Sequence, residues 1–173
     1  MIRLKALVTG ASSGIGKEMA YYLDKLGYDL ILVARDKVKL EEVQNKLSKK
    51  SKIVIIDLAN EKKIKDLYML VKNENIDLLI NNAGFGVFGK FTETNLEKEV
   101  NLINTNITAV HTLTKLFLKD MVAKNKGRIL NVASIAGFMP GPLMATYYST
   151  KAYVVRLTQS IRQELIMKHS KVR

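Results

Sequence analysis

The stretch Thr9-Gly10-Ala11-Ser12-Ser13-Gly14-Ile15-Gly16 decides the fold of this 173-residue chain. It follows the apolar run Ala6–Thr9 and leads into a helical pattern that opens at Ile15–Lys17. Glycine permits a tight turn, and it lets backbone N–H groups and a helix N-terminus come close to an anion. The stretch therefore predicts a strand, a loop suited to a pyrophosphate, and a helix in succession.

Five apolar runs bounded by turn residues have the length of buried strands. Val, Ile and Leu follow one another almost continuously in them, as in parallel strands covered on both faces. Helical patterns separate the runs, with one apolar stripe from Ile15 to Leu26 and a longer one from Ile103 to Met121. The sequence predicts an α/β fold, a Rossmann-like doubly wound parallel sheet flanked by helices on both faces. The predicted strands are Ala6–Thr9, Asp29–Ala34, Ile53–Asp57, Ile76–Ile80 and Arg128–Val132.

Length and composition restrict the classes of protein. The chain is 47% hydrophobic and has no repeat or flexible linker, so residues 1–173 are expected to form a single domain. No apolar run approaches the roughly 20 residues that span a bilayer, and the N-terminus has no targeting pattern, which predicts a cytoplasmic protein without a membrane partner. Cysteine is absent and His111 and His169 are isolated, so no metal site is expected.

The net charge of +12 has two interpretations. The excess is mostly single lysines spread along helical patterns among acids, which favours a solvated surface over an anion-attracting field. Neither a basic helix nor a basic patch interleaved with aromatic residues is present, so no nucleic-acid partner is expected.

Two more motifs follow the glycine turn: Asn81-Asn82-Ala83-Gly84, and Ser134 with Tyr147-x-x-x-Lys151 downstream. Residues four apart on a helix share a face, and an ammonium there favours the phenolate form of a tyrosine. Such a tyrosine can exchange a proton with an alcohol or carbonyl oxygen, and a serine hydroxyl can hold the same oxygen. Ser134, Tyr147 or Lys151 alone would more simply be interpreted as a structural residue, but the spacing of all three favours catalysis.

The three motifs in this order resemble those of the short-chain dehydrogenase/reductase family, and the resemblance covers nearly the whole chain. It implies an oxidoreductase that moves a hydride between a nicotinamide and a small-molecule carbonyl or secondary alcohol, and a homodimer or homotetramer. The catalytic residues implied are Asn106, Ser134, Tyr147 and Lys151. The alternative is a nucleotide-binding sensor or scaffold with weak turnover, which would not need these four residues together.

The resemblance also implies a set of cofactor contacts. Asn82 is assigned a structural role only, and Asp57 could equally be a cap. The expected cofactor-binding residues are Gly10, Ser12, Ser13, Gly14, Ile15, Gly16, Arg35, Asp57, Leu58, Asn81, Ala83 and Gly84, with Tyr147 and Lys151.

The second predicted strand ends in Val33-Ala34-Arg35. Ala34 takes the position at which the family carries an NAD-selecting acid, and Arg35 suits a 2′-phosphate. We therefore predict NADP(H) in preference to NAD(H). Asp36 could be read as a displaced ribose-binding acid, but the favoured interpretation is the N-cap of a helix over Lys37–Leu47.

The loops after the fourth and fifth strands are apolar. If they line the pocket, they favour an apolar substrate, and packing against another subunit is the open alternative. In the family a sixth strand, a substrate lid and a seventh strand follow this point; none is expected within these residues, so the fifth strand is expected to be an open edge. The apolar loop residues are Phe85, Gly86, Val87, Phe88, Ile135, Phe138, Met139, Leu143 and Met144.

Overall fold

A computed structural model describes residues 3–173 and contains one sheet of five parallel strands. The sheet order is β3-β2-β1-β4-β5, so the winding direction reverses between β1 and β4. At such a switch point the carboxyl ends of the strands border a crevice. Met1 and Ile2 of the expected domain lie outside the described residues. The strands are β1 (Lys5–Thr9), β2 (Asp29–Ala34), β3 (Ser51–Ile55), β4 (Leu78–Asn81) and β5 (Arg128–Asn131).

Helices cover both faces of the sheet because alternate strand residues point to opposite sides. Leu7 of β1 belongs to a core with helices α3 and α5, whereas Val8 belongs to a second core with α1 and α2. The predicted α/β, Rossmann-like doubly wound fold is therefore confirmed. The helices are α1 (Gly14–Lys25), α2 (Lys37–Gln44), α3 (Glu61–Val71), α4 (Leu96–Ile103), α5 (Val110–Ala123) and α6 (Ala145–Met167).

Strand β3 begins and ends two residues earlier than predicted. Its register pairs Leu30 with Ser51 and Ala34 with Ile55. Because β3 is an edge strand, polar residues can enter it and face solvent, and the apolar run alone misplaced its start. Asp57 consequently lies in the loop after the strand, where its Oδ1 accepts from the Ala59 N–H at 3.0 Å.

The apolar stripe from Ile103 to Met121 predicted one uninterrupted helix, and the structure differs at the beginning of this stripe. Between α4 and α5, the segment Asn104–Ala109 is π-helical. Single π-helical turns are frequent at functional sites. This turn buries Asn106, which is 1% exposed, and directs it towards the loop that follows β4.

The outer edge of β5 is partly paired, contrary to the expectation of an open edge. The Arg173 N–H donates to the Gly127 carbonyl at 3.1 Å, and the Ile129 N–H donates to the Arg173 carbonyl at 2.8 Å. Val172 is buried against the α3–α5 core. The end of the described chain therefore lies along β5, because the backbone groups there need partners.

Asp24 joins the end of α1 to the segment before β3. Its carboxylate accepts from the Ser48 N–H at 3.0 Å, the Ser48 hydroxyl at 2.8 Å and the Lys49 N–H at 2.7 Å. Burial opposes ionisation of this carboxyl, but the hydrogen bonds from Ser48 and Lys49 outweigh it and lower the pKa of Asp24. The ionised form therefore stabilises the fold.

We expect Asp24→Asn to lower the free energy of unfolding at neutral pH by about 1.5–3 kcal/mol, the range for hydrogen bonds to a charged group. The folded-state pKa lies below the ordinary 3.8, so the stabilisation is present above that value and is lost as the pH falls through the lowered pKa. Urea unfolding of both proteins at neutral and acidic pH measures the difference.

Asp66→Asn is the matched control, because Asp66 is an exposed residue of α3 and the variant removes the same charge. We expect it to change the free energy of unfolding by less than about 0.5 kcal/mol. Equal losses in the two variants would show that net charge, rather than the Asp24 hydrogen bonds, is responsible.

Candidate active site

A cavity of about 740 Å³ lies at the carboxyl ends of the strands. Residues that follow each of the five strands contribute to its wall, together with the start of α6. Most of the residues predicted from the sequence meet there. They are Gly10, Ser12, Ser13, Gly14, Ile15, Arg35, Asp57, Leu58, Ala83, Gly84, Tyr147 and Lys151.

The glycine turn forms the centre of this wall. Gly10 and Gly14 have φ values of +67° and +51°, which favour glycine over residues with a side chain. Ser13 is the N-cap of α1 but makes no side-chain hydrogen bond to the helix, so the first backbone N–H groups of α1 are not capped by it. This is the arrangement in which a helix N-terminus binds a phosphate.

Gly16, predicted as a cofactor contact, does not line the cavity. A Cβ atom at this position would overlap the Gly10 carbonyl oxygen and the Asn82 amide. Its glycine is needed for the close approach of α1 to the turn, which is a packing role.

Asn81, the last residue of β4, and Asn82, which follows it, have surroundings that differ from those predicted. Asn81, expected at the cofactor site, is 2% exposed and does not line the cavity. Its Nδ2 donates to Thr114 Oγ1 at 3.1 Å and to Asn131 Oδ1 at 2.8 Å. Asn81 points towards the interior because the side chains of successive strand residues alternate.

Asn82, assigned a structural role, braces the glycine turn and also lines the cavity. Its Nδ2 donates to the carbonyl oxygens of Thr9 at 3.1 Å and Gly10 at 3.3 Å. Its backbone N–H donates to Thr9 Oγ1 at 3.0 Å. These bonds hold the loop after β4 against the loop after β1.

Arg35, Asp36 and Lys39 lie close together where β2 is followed by α2. Asp36 Oδ1 accepts from the Lys39 N–H at 3.1 Å, so the N-cap interpretation is confirmed. This backbone hydrogen bond, with the Lys39 ammonium 3.4 Å from Oδ2, lowers the pKa of Asp36. Arg35, Asp36 and Lys39 all line the cavity, so two cations and one carboxylate lie at this end.

Tyr147 and Lys151 lie one turn apart at the start of α6, as predicted. The Lys151 Nζ is 5.8 Å from the centroid of the Tyr147 ring and donates to the Val132 carbonyl at 2.9 Å. Lys151 is 6% exposed, and burial lowers its pKa. Within residues 3–173 no carboxylate forms an ion pair with it. Its ammonium is therefore free to interact with an anion in the cavity.

Tyr148, the neighbouring tyrosine, has a different environment. Its ring packs against Gly141, at which a Cβ atom would overlap the ring. The Tyr147 and Tyr148 ring centroids are 6.2 Å apart and their planes are inclined by 78°. Tyr147 lines the cavity, and Tyr148 does not.

Ser134, predicted to be catalytic, lies in the loop after β5 and is not itself among the residues that line the cavity, although its neighbour Ala133 is. Its Oγ accepts from the Ala136 N–H at 3.2 Å and caps the short 3₁₀ turn Ile135–Phe138. The serine hydroxyl acts as an acceptor here, so its own O–H remains able to donate to another oxygen.

Asn106 is held inside the protein rather than in the cavity wall. Its Oδ1 accepts from the Phe85 N–H at 3.1 Å, and its Nδ2 donates to the Phe85 carbonyl at 2.9 Å and to Thr150 Oγ1 at 3.1 Å. A Cβ atom at Gly84 would be 2.9 Å from Asn106 Oδ1 and 3.6 Å from Lys151 Nζ. The Asn106 side chain thus connects the π-helical turn with the loop after β4 and with α6.

A family model described as short chain dehydrogenase matches residues 4–173. The chain belongs to this family. Its members are NAD(P)-dependent oxidoreductases, and the resemblance predicted from the three motifs is confirmed. The glycine turn and the Tyr147–Lys151 pair therefore lie in a chain that belongs to an oxidoreductase family.

Three similar proteins illustrate the relationship. A very-long-chain 3-oxoacyl-CoA reductase of Phaeosphaeria nodorum is 36% identical in an alignment of 170 positions that covers 92% of this chain and 50% of the relative. A short-chain dehydrogenase of Sphingobium yanoikuyae, solved with NADPH, has a TM-score of 0.90 at 33% identity; the match covers 98% of this chain and 67% of that one. The bulky-bulky ketone specific alcohol dehydrogenase of Comamonas testosteroni has a TM-score of 0.89 at 34% identity, over 95% and 68% of the chains.

Sequence reasoning missed Lys39, Asn82 and Val132 as parts of this site in the short-chain dehydrogenase. Lys39 is one of the single lysines along helical patterns that were interpreted as a solvated surface, although its position four residues after Arg35 was a usable signal. Val132 contributes its backbone carbonyl, and a backbone contribution cannot be predicted from the residue type.

In the part of the chain that the structure describes, no helix has the length and apolar character to cross a membrane.

Proposed function

We propose that this short-chain dehydrogenase is an NADP(H)-dependent oxidoreductase that interconverts an apolar ketone or aldehyde and its alcohol, with Tyr147 as the general acid and base. One observation carries the proposal. A single cavity has two cations, Arg35 and Lys39, at one end and the Tyr147–Lys151 pair in its wall, with the glycine turn also lining it.

The residues fit a dinucleotide phosphate. Arg35 and Lys39 suit the 2′-phosphate, and the uncapped start of α1 suits the pyrophosphate. A Cβ atom at Gly10 would come within 2.8 Å of Asn82 Nδ2 and 2.9 Å of Ala83 Cα. The glycine turn therefore lies too close to the loop after β4 for a side chain at Gly10. The similar dehydrogenase of Sphingobium yanoikuyae was solved with NADPH, which supports this cofactor.

The proposed chemistry takes place at the other end of the cavity and depends on the side chains of Tyr147, Lys151 and Ser134. When bound, the reduced nicotinamide supplies a hydride to the carbonyl carbon. Tyr147 donates its phenolic proton to the carbonyl oxygen, which becomes the alcohol, and the phenolate is protonated again from solvent. Lys151 stabilises the phenolate, and the Ser134 O–H holds the substrate oxygen. In the oxidative direction Tyr147 accepts the proton.

The walls near Tyr147 favour an apolar substrate. Phe85, Gly86 and Met144 line the cavity, and Phe88 and Phe138 lie 74% and 67% exposed in the same two loops. The similar Comamonas testosteroni enzyme is specific for bulky-bulky ketones, in agreement with a hydrophobic carbonyl substrate.

Titration of the 173-residue protein with NADPH and, separately, NADH tests the cofactor half, with reduced-nicotinamide fluorescence as the signal. Loss of NADPH absorbance on addition of apolar ketones tests the chemistry. We expect saturable binding that is tighter for NADPH, and ketone-dependent oxidation. Binding without turnover of any ketone would favour a sensor or scaffold, and binding of neither nucleotide would contradict the proposal.

A further inference from the structure

We propose that Gly86 and Met144 together form a size filter beside Tyr147, which sets how bulky a ketone this enzyme accepts. The inference rests on the proposed function and adds a specificity-determining pair to it. Both residues line the cavity, and neither is among the groups that carry the proton or the cofactor phosphates.

The loops after β4 and β5 meet at this point. The Gly89 N–H of the first loop donates to the Leu143 carbonyl of the second at 2.8 Å. Leu143 has a φ of +63°, a left-handed conformation that is unfavourable for leucine. Backbone strain of this kind persists only where the surroundings impose it, and it is frequent at ligand sites. The strained residue directly precedes Met144, the last residue before α6.

Gly86 has no room for a side chain in this arrangement. A Cβ atom there would be 2.7 Å from Met144 Cε and 3.3 Å from Tyr147 Cδ2. The backbone of Gly86, the methyl group of Met144 and the ring of Tyr147 therefore lie side by side in the cavity wall. The tightest of these approaches is to the end of a flexible methionine side chain, which can move.

This geometry separates size selection from chemistry. In the proposed binding mode, a ketone whose oxygen reaches the Tyr147 hydroxyl has the two substituents of its carbonyl carbon beside the ring, and one of these substituents meets Gly86 and Met144. A methyl group added at Gly86 would push the Met144 side chain into the cavity or occupy that space itself. Truncation of Met144 would enlarge the same space. Gly86 and Met144 therefore act on substrate size in opposite directions.

The test is the ratio of kcat/KM for a bulky aryl ketone to kcat/KM for a small aliphatic ketone, with NADPH as the reductant. Gly86→Ala is expected to lower this ratio about tenfold or more, because one methylene in a substrate pocket discriminates by about 10–200-fold. Met144→Ala is expected to raise the ratio. In the variant with both substitutions, the ratio is expected to return most of the way from the lowered value of Gly86→Ala towards that of the wild type. The dissociation constant of NADPH, measured by fluorescence, is expected to stay within about threefold in all three variants.

Met139→Ala is the matched control, because Met139 lies in the same loop, is 54% exposed and does not line the cavity. Its ratio is expected to equal that of the wild type. If the wild type is active and the ratio is unchanged in both Gly86→Ala and Met144→Ala, the size filter is overturned and the proposed function still stands. Equal loss of both ketone activities in Gly86→Ala, with no effect of Met144→Ala, would also overturn it. A wild type that binds NADPH but reduces neither ketone would contradict the proposed function, and the filter with it.

Discussion

Replacement of Tyr147 with Phe is expected to lower kcat/KM for ketone reduction about 10²–10⁴-fold, the usual contribution of a positioned acid or base. The variant removes only the phenolic oxygen and keeps the ring, which lies beside Gly86 and has the Lys151 ammonium 5.8 Å from its centroid. Binding of NADPH should therefore persist. Steady-state assays together with a fluorescence titration separate the loss of turnover from any loss of cofactor binding.

Tyr148→Phe supplies the comparison for this result. Tyr148 follows Tyr147 directly, but its ring packs against Gly141 and it does not line the cavity. The same change of one hydroxyl is expected to leave kcat/KM within about threefold, as for a surface substitution away from the chemistry. Full activity in Tyr147→Phe, or an equal loss in the two variants, would refute Tyr147 as the general acid and base.

The second large effect is expected at the cofactor end. Arg35→Ala should weaken NADPH binding about 10–100-fold, because a hydrogen bond to a charged group contributes about 1.5–3 kcal/mol and each 1.4 kcal/mol is tenfold in affinity. The affinity for NADH, which lacks the 2′-phosphate, should change much less. Parallel titrations of the variant with both nucleotides measure this difference in selectivity.

Lys37→Ala removes the same charge two residues further along the chain. Lys37 Nζ lies 3.6 Å from Glu41 on α2, and Lys37 does not line the cavity. Its nucleotide affinities should stay close to those of the wild type. If Lys37→Ala weakened NADPH binding as much as Arg35→Ala does, the general field of this basic protein rather than a phosphate contact would explain the preference.

Patterns carried by neighbouring residues were sufficient for the fold and for the core of the site. Nearly continuous apolar runs predicted five parallel strands, because strands covered on both faces have no solvent side. Tyr147 and Lys151 were predicted to share a face from their spacing alone, since residues four apart on a helix always do. Asp36 was recognised as a cap from its place before α2.

Features that depend on how distant segments meet could not be predicted in this way. The apolar stripe from Ile103 to Met121 contains no signal for the π-helical turn Asn104–Ala109, which is accompanied by the contacts of Asn106 with Phe85 and Thr150. The inward direction of Asn81 depends on where β4 ends, and an error of one residue in a strand exchanges its two faces.

The sequence by itself determined the doubly wound sheet, the glycine turn and the tyrosine–lysine pair, because each depends on local spacing and on residue type. Only the tertiary structure decided that Lys39 joins Arg35 in the cavity wall and that Asn82 braces the turn. It also decided that Gly86 meets Met144, 58 residues later in the chain, beside Tyr147. The physical reason is that such contacts arise when separate loops converge at one edge of the sheet, and no local pattern encodes the distance between them.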